Sequence, residues 1–255
     1  MRADDPRTTE ELFQASLHGD YEDEAAWDAV AALRLRGTEE VFQLAIKYVE
    51  SAEPRERARG LDVLGQLGTG LPISERPHFD ESVAIAIEHL HDPDPLVVHS
   101  AAWALAHLRD DRTVSALIPM RNNPDPGVRW AVANGLYGSD RPDAIATIIE
   151  LMDDSDDDVR DWATFALGMQ CTINSPEILN ALQKRLNDSY EMARNEAVWA
   201  LAQHKNPLGI RMLIERLSAD GWMAGDEMAA AETLDVPYDT PPEELLVGLQ
   251  KLLDS

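Results

Sequence analysis

The sequence predicts an all-α protein, an α-solenoid of about seven helical hairpins that ends in a capping helix. The first observation behind this prediction is a leucine that recurs among small residues, at Leu33, Leu64, Leu105, Leu136, Leu167, Leu201 and Leu234. Successive leucines are 31, 41, 31, 31, 34 and 33 residues apart. Repeats of about 20–50 residues are typical of stacked helical units, each of which buries its apolar face against its neighbours.

The second observation is a stripe of small or apolar residues that precedes each leucine. The positions four residues before the leucines are Ala29, Gly60, Ala101, Val132, Ala163, Ala197 and Ala230. The positions eight residues before them are mostly apolar as well, among them Ala25, Val97, Val128, Val159 and Ala193. Because positions i, i+4 and i+8 share one face of an α-helix, each leucine is predicted to lie on the core stripe of the second helix of its hairpin.

The third observation is the turn chemistry between helices. Turns rich in Pro, Asp and Asn at residues 91–95 and 122–126 stop one helix and cap the next. The segments before such turns, for example residues 40–49 and 144–152, are amphipathic and are predicted to be first helices. Thr8 and Glu11 have the spacing of a capping box and predict the start of the first helix.

Irregular segments interrupt the repeats at two places. The long 41-residue interval contains residues 68–77, whose Gly and Pro content predicts an inserted surface loop. Residues 220–225 predict an irregular turn in a degenerate terminal repeat, and residues 235–255 a C-terminal capping segment with one more helix. Residues 1–255 are predicted to form a single domain.

Two repeats, residues 125–136 and 156–168, share a turn, a Val-Arg pair, spaced alanines and a terminal leucine. This pattern resembles the HEAT-like repeats of the phycobilisome-lyase type, and the resemblance extends from about Ala25 to Leu234. It implies a helical-repeat fold and the binding of other macromolecules, and it does not imply an activity.

Composition restricts the partners. The chain has 22 basic and 47 acidic residues, a net charge of −25, which would repel a phosphate backbone and attract a basic protein. No apolar run approaches the roughly 18 residues of a membrane span, and residues 1–6 lack the apolar core of a secretory signal, so a cytoplasmic protein is expected. The single cysteine, Cys171, excludes an intrachain disulfide. No metal or other cofactor is predicted.

Candidate binding residues lie on the second helices. They form a stripe at the positions six residues before, two residues before and two residues after each leucine. This stripe would line the concave side of a solenoid, and its members are His99, Trp103, His107, Trp130, Asn134, Asp161, Phe165, Asn195 and Trp199. Large aromatic residues beside amides and acids are typical of a binding groove. The alternative is that the tryptophans pack laterally between adjacent second helices, because aromatics at helical spacing are usually core residues.

The arginines that recur seven residues before the leucines are predicted to have a structural role rather than a functional one. They are Arg57, Arg129, Arg160 and Arg194, and their register predicts pairing with carboxylates of the turns.

No catalytic residue is predicted. Deoxyhypusine hydroxylase resembles this architecture, but it requires repeated His-Glu pairs and none of the seven histidines precedes a Glu. The sequence therefore predicts a non-catalytic protein-binding module that holds another protein in a concave groove. Two alternatives are an acidic inhibitor or immunity-type protein that neutralises a basic partner such as a nuclease toxin, and a chromophore-lyase-like subunit.

Overall fold

The structure is a computed structural model, which describes residues 5–170, 175–219 and 223–254. It forms two compact units, Met1–Gly135 and Leu136–Ser255. Each unit consists of helices packed in pairs, and the described residues contain no β-strand. The all-α prediction is confirmed, whereas the prediction of a single domain stays a prediction. Cys171 and half of the predicted irregular turn, residues 220–222, lie outside the described residues.

Four helix pairs make up the first unit, whose boundary falls at Gly135, one residue before the end of the fourth pair. They are α1 (Thr9–Ser16) with α2 (Glu24–Arg36), α3 (Glu39–Val49) with α4 (Pro54–Gln66), α5 (Phe79–His89) with α6 (Pro95–Leu108), and α7 (Asp111–Leu117) with α8 (Pro126–Leu136). Short 3₁₀ helices cover Ile73–Glu75 and Ile118–Asn122. The predicted capping box is present, because Thr8 and Glu11 bond each other's backbone amides.

Three pairs and a terminal helix make up the second unit. They are α9 (Pro142–Leu151) with α10 (Asp157–Gln170), α11 (Pro176–Arg185) with α12 (Glu191–Gln203), α13 (Pro207–Leu217) with α14 (Ala224–Leu234), and α15 (Pro242–Leu253). The terminal helix α15 buries Leu245 and Leu249 against α13 and α14, which confirms the predicted capping helix.

Each of the seven leucines lies in the second helix of a pair, as predicted. Six of them are at most 1% exposed, and only Leu234 in the terminal pair is half-buried. The residues four positions before the leucines are all buried. The stripe is shorter in the first helix pair, because Ala25, eight positions before Leu33, is exposed. The spacing therefore located the core of both units.

Small residues permit the second helices to touch. A Cβ atom built on Gly65 in α4 would lie 2.5 Å from Cα of Ala104 in α6. In the second unit a Cβ on Gly168 in α10 would lie 2.3 Å from Cβ of Ala200 in α12. Both glycines follow their repeat leucine by one residue, and both alanines precede theirs by one residue. The same repeat register therefore sets the helix contact in each unit.

Gly65→Ala is expected to destabilise the protein by about 1–3 kcal/mol, because the new methyl group meets a backbone atom that cannot rotate away. Urea denaturation of the purified variant measures the loss. Gly248→Ala in α15 is the control, since its Cβ would meet only the flexible side chain of Leu234, 2.7 Å away. A neutral Gly65→Ala would contradict the close packing of α4 on α6.

Two of the recurrent arginines join neighbouring repeats. Arg57 donates two hydrogen bonds, of 2.9 and 3.0 Å, to the carboxylate of Asp92 in the following turn. Arg160 binds Asp188 with two hydrogen bonds of 3.0 Å. The other two arginines, Arg129 and Arg194, donate hydrogen bonds to backbone carbonyls of the turn before their own helix. The predicted pairing with turn carboxylates is confirmed for Arg57 and Arg160.

The inserted loop at residues 68–77 lies on the surface, as predicted. Its apolar side chains Leu71 and Ile73 are both 46% exposed. Arg76 ties the loop to α6 through a 3.3 Å hydrogen bond from its guanidinium to the carbonyl of His107.

None of the helices in the described ranges combines the length and the apolarity needed to cross a membrane.

Candidate functional site: an aromatic cavity in the first unit

Four of the predicted stripe residues form one aromatic cluster in the first unit. The indole rings of Trp103 and Trp130 stack, with centroids 4.3 Å apart and an angle of 19° between the planes. The imidazoles of His99 and His107 lie one helical turn before and after Trp103, at 6.1 and 6.0 Å from its ring. All four side chains are half-buried. Trp103 of α6 and Trp130 of α8 therefore pack laterally between adjacent second helices, and both rings also keep exposed surface.

Polar contacts hold this aromatic cluster in place. His99 Nδ1 lies 2.9 Å from a carboxylate oxygen of Asp125, in the turn before α8. His107 Nδ1 lies 2.8 Å from the backbone carbonyl of Trp103. Asn134 is half-buried, and its side-chain carbonyl accepts a 3.0 Å hydrogen bond from Arg109.

A cavity of about 370 Å³ lies beside the aromatic cluster. Three helices and one turn line it: α2, α4, α6 and the turn between α1 and α2. The residues around the cavity are Tyr21, Glu22, Trp27, Asp62, Gln66, His99, Trp103, Ala104 and His107. Its walls are mainly aromatic, and its acidic groups are Glu22 and Asp62.

A buried ion pair supports one wall of the cavity. Arg59, which is 0% exposed, donates a 3.0 Å hydrogen bond to the carboxylate of Asp62 and a 2.9 Å hydrogen bond to the backbone carbonyl of Tyr21. Its guanidinium lies 4.0 Å from the centroid of the Tyr21 ring and 4.9 Å from that of Trp27. The Tyr21 hydroxyl donates to Asp62 and lies 2.8 Å from the hydroxyl of Ser100.

This network fixes the turn between α1 and α2 over α4 and α6. Tyr21 bonds residues 41 and 79 positions away in the sequence, Asp62 and Ser100. Burial raises the pKa of Asp62 and the guanidinium of Arg59 opposes that rise. A carboxylate that is both buried and satisfied by several donors makes a rigid wall.

Sequence reasoning missed several residues of the cavity. Trp27 lies six residues before Leu33, and Asp62 and Gln66 lie two before and two after Leu64. These are the stripe positions already used for the central repeats, so applying them to the first two repeats would have found all three. Tyr21 has no such signal, because it lies in a turn outside the repeat register.

The stripe residues of the second unit divide into two kinds. Phe165 and Trp199 line a small cavity of about 150 Å³ together with Glu196. Trp199 is also a packing residue, since its indole N–H donates a 2.8 Å hydrogen bond to the buried Asp226. A Cβ on Gly225 would lie 2.4 Å from its ring.

Asn195 differs from the rest of the predicted stripe. It is only 4% exposed, and its amide lies 3.9 Å from the sulfur of Met223. It therefore offers a partner almost no surface, and Met223, the residue before α14, lies against it. The prediction that Asn195 lines the groove is therefore corrected, because its side chain is buried.

Two carboxyl groups in the second unit have raised pKa values. Burial, followed by the charges of Asp158 and Asp188, raises the pKa of Asp161 to about 6. Burial, followed by the charge of Asp161, raises the pKa of Glu196 to about 7. Sequence reasoning selected Asp161 for its stripe position and did not select Glu196.

Stability is expected to fall between pH 5 and pH 8 because of this pair. A raised carboxyl pKa means that the folded state holds the proton more tightly than the unfolded chain, so its stabilising effect is complete below about pH 4 and is lost as the pH rises to about 7. After allowance for partial solvent exposure, Asp161→Asn/Glu196→Gln should reduce the pH 5 to pH 8 loss in the free energy of unfolding by about 2 kcal/mol. Glu191→Gln, an exposed carboxyl on α12, is the control. Equal pH dependence in all three proteins would contradict the raised values.

Two segments of the sequence, residues 83–168 and 158–235, match HEAT repeats, and together they cover more than half of the chain. No curated protein sequence matches significantly.

Solved structures show the same fold. YibA from Escherichia coli has a TM-score of 0.72 and 22% sequence identity, over 97% of this chain and 93% of that one. A HEAT-like repeats protein from the archaeon Thermococcus onnurineus has a TM-score of 0.55 and 16% identity, over 98% and 100% of the two chains. The complex of CpcE and CpcF of phycocyanin lyase from Nostoc gives a TM-score of 0.52 and 19% identity, over 98% and 95%. At these identities the likeness concerns the fold alone. With the family match over most of its length, the chain belongs to the HEAT-repeat family.

Proposed function

We propose that this HEAT-repeat chain is a non-catalytic protein-binding module, and that a protein partner contacts the aromatic cluster and cavity of the first unit. The observation that carries the proposal is the half-buried stack of Trp103 on Trp130 at the edge of a 370 Å³ cavity. Tryptophans that keep exposed surface while a neighbour holds them rigid are typical anchors of protein interfaces.

A basic partner fits this surface better than a neutral one. The net charge of −25 raises the association rate of cationic proteins at low salt and disfavours nucleic acid. An acidic inhibitor of a basic protein, the first alternative from the sequence, is a special case of the same proposal. A chromophore-lyase-like subunit is a separate alternative, and it predicts that a bilin rather than a protein occupies the cavity.

Affinity capture with Trp103→Ala tests the proposal. We expect a partner captured by the unaltered protein to bind the variant more weakly by about 2 kcal/mol or more, mainly through faster dissociation. Tyr238→Ala is the control, because Tyr238 is an aromatic residue of the second unit that is 65% exposed and lies outside both cavities. Equal affinity of a folded Trp103→Ala for every captured partner would overturn the proposal.

Trp199→Ala should behave differently from Trp103→Ala. Because Trp199 bonds the buried Asp226 and packs on Gly225, its loss is expected to reduce stability rather than to remove a free binding surface.

A further inference from the structure

We propose that the aromatic cavity of the first unit binds an arginine side chain of the protein partner, an inference that rests on the proposed function. The cavity combines aromatic rings with an acidic rim and lies on a strongly acidic chain. A guanidinium group can satisfy both features at once, because it stacks flat on an aromatic ring and donates to carboxylates.

The ring that receives the guanidinium is Trp103. Trp130 stacks on one face of the Trp103 ring at a centroid distance of 4.3 Å and holds it in place, and the half-buried Trp103 also lines the cavity. The rings of Tyr21 and Trp27 already have a cation against them, since Arg59 lies 4.0 and 4.9 Å from their centroids. These two rings therefore form the apolar walls, and Trp103 offers the stronger cation–π contact.

The charge that selects a cation comes from Glu22. Asp62 is matched by the guanidinium of Arg59 at 3.0 Å, so this pair contributes little net charge to the cavity. Glu22 is exposed at the rim, and its carboxylate accepts a 3.1 Å hydrogen bond from the indole N–H of Trp27. One bond from Trp27 leaves lone pairs of the carboxylate available to a guanidinium.

Arginine suits the cavity better than an anionic or a neutral planar group. An anion would meet Glu22 and the field of a chain with a net charge of −25. A neutral planar group would gain the stacking and lose the charge contact. Probes of the same shape that differ only in charge therefore test whether the cavity selects a guanidinium.

The experiment titrates the full chain with N-acetyl-arginine methylamide and follows the indole N–H signals of Trp27 and Trp103 by NMR. The matched probe is N-acetyl-citrulline methylamide, which has almost the same shape and no charge. We expect saturable shifts with the arginine probe and at least about ten-fold weaker binding of the citrulline probe. Equal binding of both probes, or stronger binding of N-acetyl-glutamate methylamide, overturns the proposal.

Three variants separate the cavity from general attraction to an acidic surface. Trp103→Leu should abolish the saturable shift at Trp27, and Glu22→Gln should weaken arginine binding several-fold. Glu24→Gln, which removes an exposed carboxylate two residues away, should leave the affinity almost unchanged. Equal effects of Glu22→Gln and Glu24→Gln would show non-specific charge attraction and would overturn the proposal.

Failure of this inference is distinguishable from failure of the proposed function. A partner that depends on Trp103 but is captured equally well after all its surface arginines are changed to glutamine would refute the arginine site and leave the protein-binding role intact. Exposed Glu22 provides a second test if Trp103→Leu does not fold, because the removal of its charge leaves the core packing untouched.

Discussion

Arg59→Met is expected to destabilise the protein by about 3–5 kcal/mol, the cost of breaking a buried ion pair by removal of one partner. Arg59 is 0% exposed and Asp62 only 5% exposed, so the carboxylate left behind would be poorly solvated. The substitution also removes the donor to the Tyr21 carbonyl. Methionine keeps the length and much of the apolar volume of the side chain, so the loss reports mainly on the charge and its hydrogen bonds.

The double variant Arg59→Met/Asp62→Leu should recover much of that loss. Replacing both members of a buried pair by apolar groups is often close to neutral, whereas an unpaired buried carboxylate is costly. Urea denaturation at pH 7 of the two single variants, the double variant and the unaltered protein forms a double-mutant cycle. A loss below about 1 kcal/mol in Arg59→Met would contradict the account of the cavity wall, since that is the scale of an exposed pair.

Leu167→Ala is expected to cost about 2–5 kcal/mol, from lost contacts and a residual cavity. The side chain is 1% exposed and lies on the core stripe of α10. Its matched control is Leu208→Ala in α13, where the leucine is 41% exposed. Chemical denaturation should place the control within about 0.5–1 kcal/mol of the unaltered protein. If the two variants lost the same stability, the stripe would not mark the core of the second unit.

Much of the fold followed from local periodicity. The leucine spacing located all seven second helices, and the small residues four positions earlier are all buried. The loop at residues 68–77 and the terminal helix α15 followed from Gly and Pro content and from a short amphipathic segment. These features depend on contacts within one helix or between adjacent repeats, which recur with the period of the sequence.

The candidate site was predicted only in part. The stripe register identified Trp103, His99 and His107, which line the cavity, and Trp130, which stacks behind Trp103. It also selected Asn195, which is buried, because register alone does not show how much surface the next segment covers. It could not decide between groove and packing for the tryptophans, since both roles use the same helix face.

By itself, the sequence determined the helix order, the core stripe and the acidic character of this protein, because these depend on spacing and composition. Only the tertiary structure decided that Tyr21 folds back to bond Asp62 and Ser100, and that Arg59 is buried behind two aromatic rings. These contacts join residues of different repeats through a turn without periodicity. Their free energy depends on desolvation and geometry at the assembled site, which a single repeat does not contain.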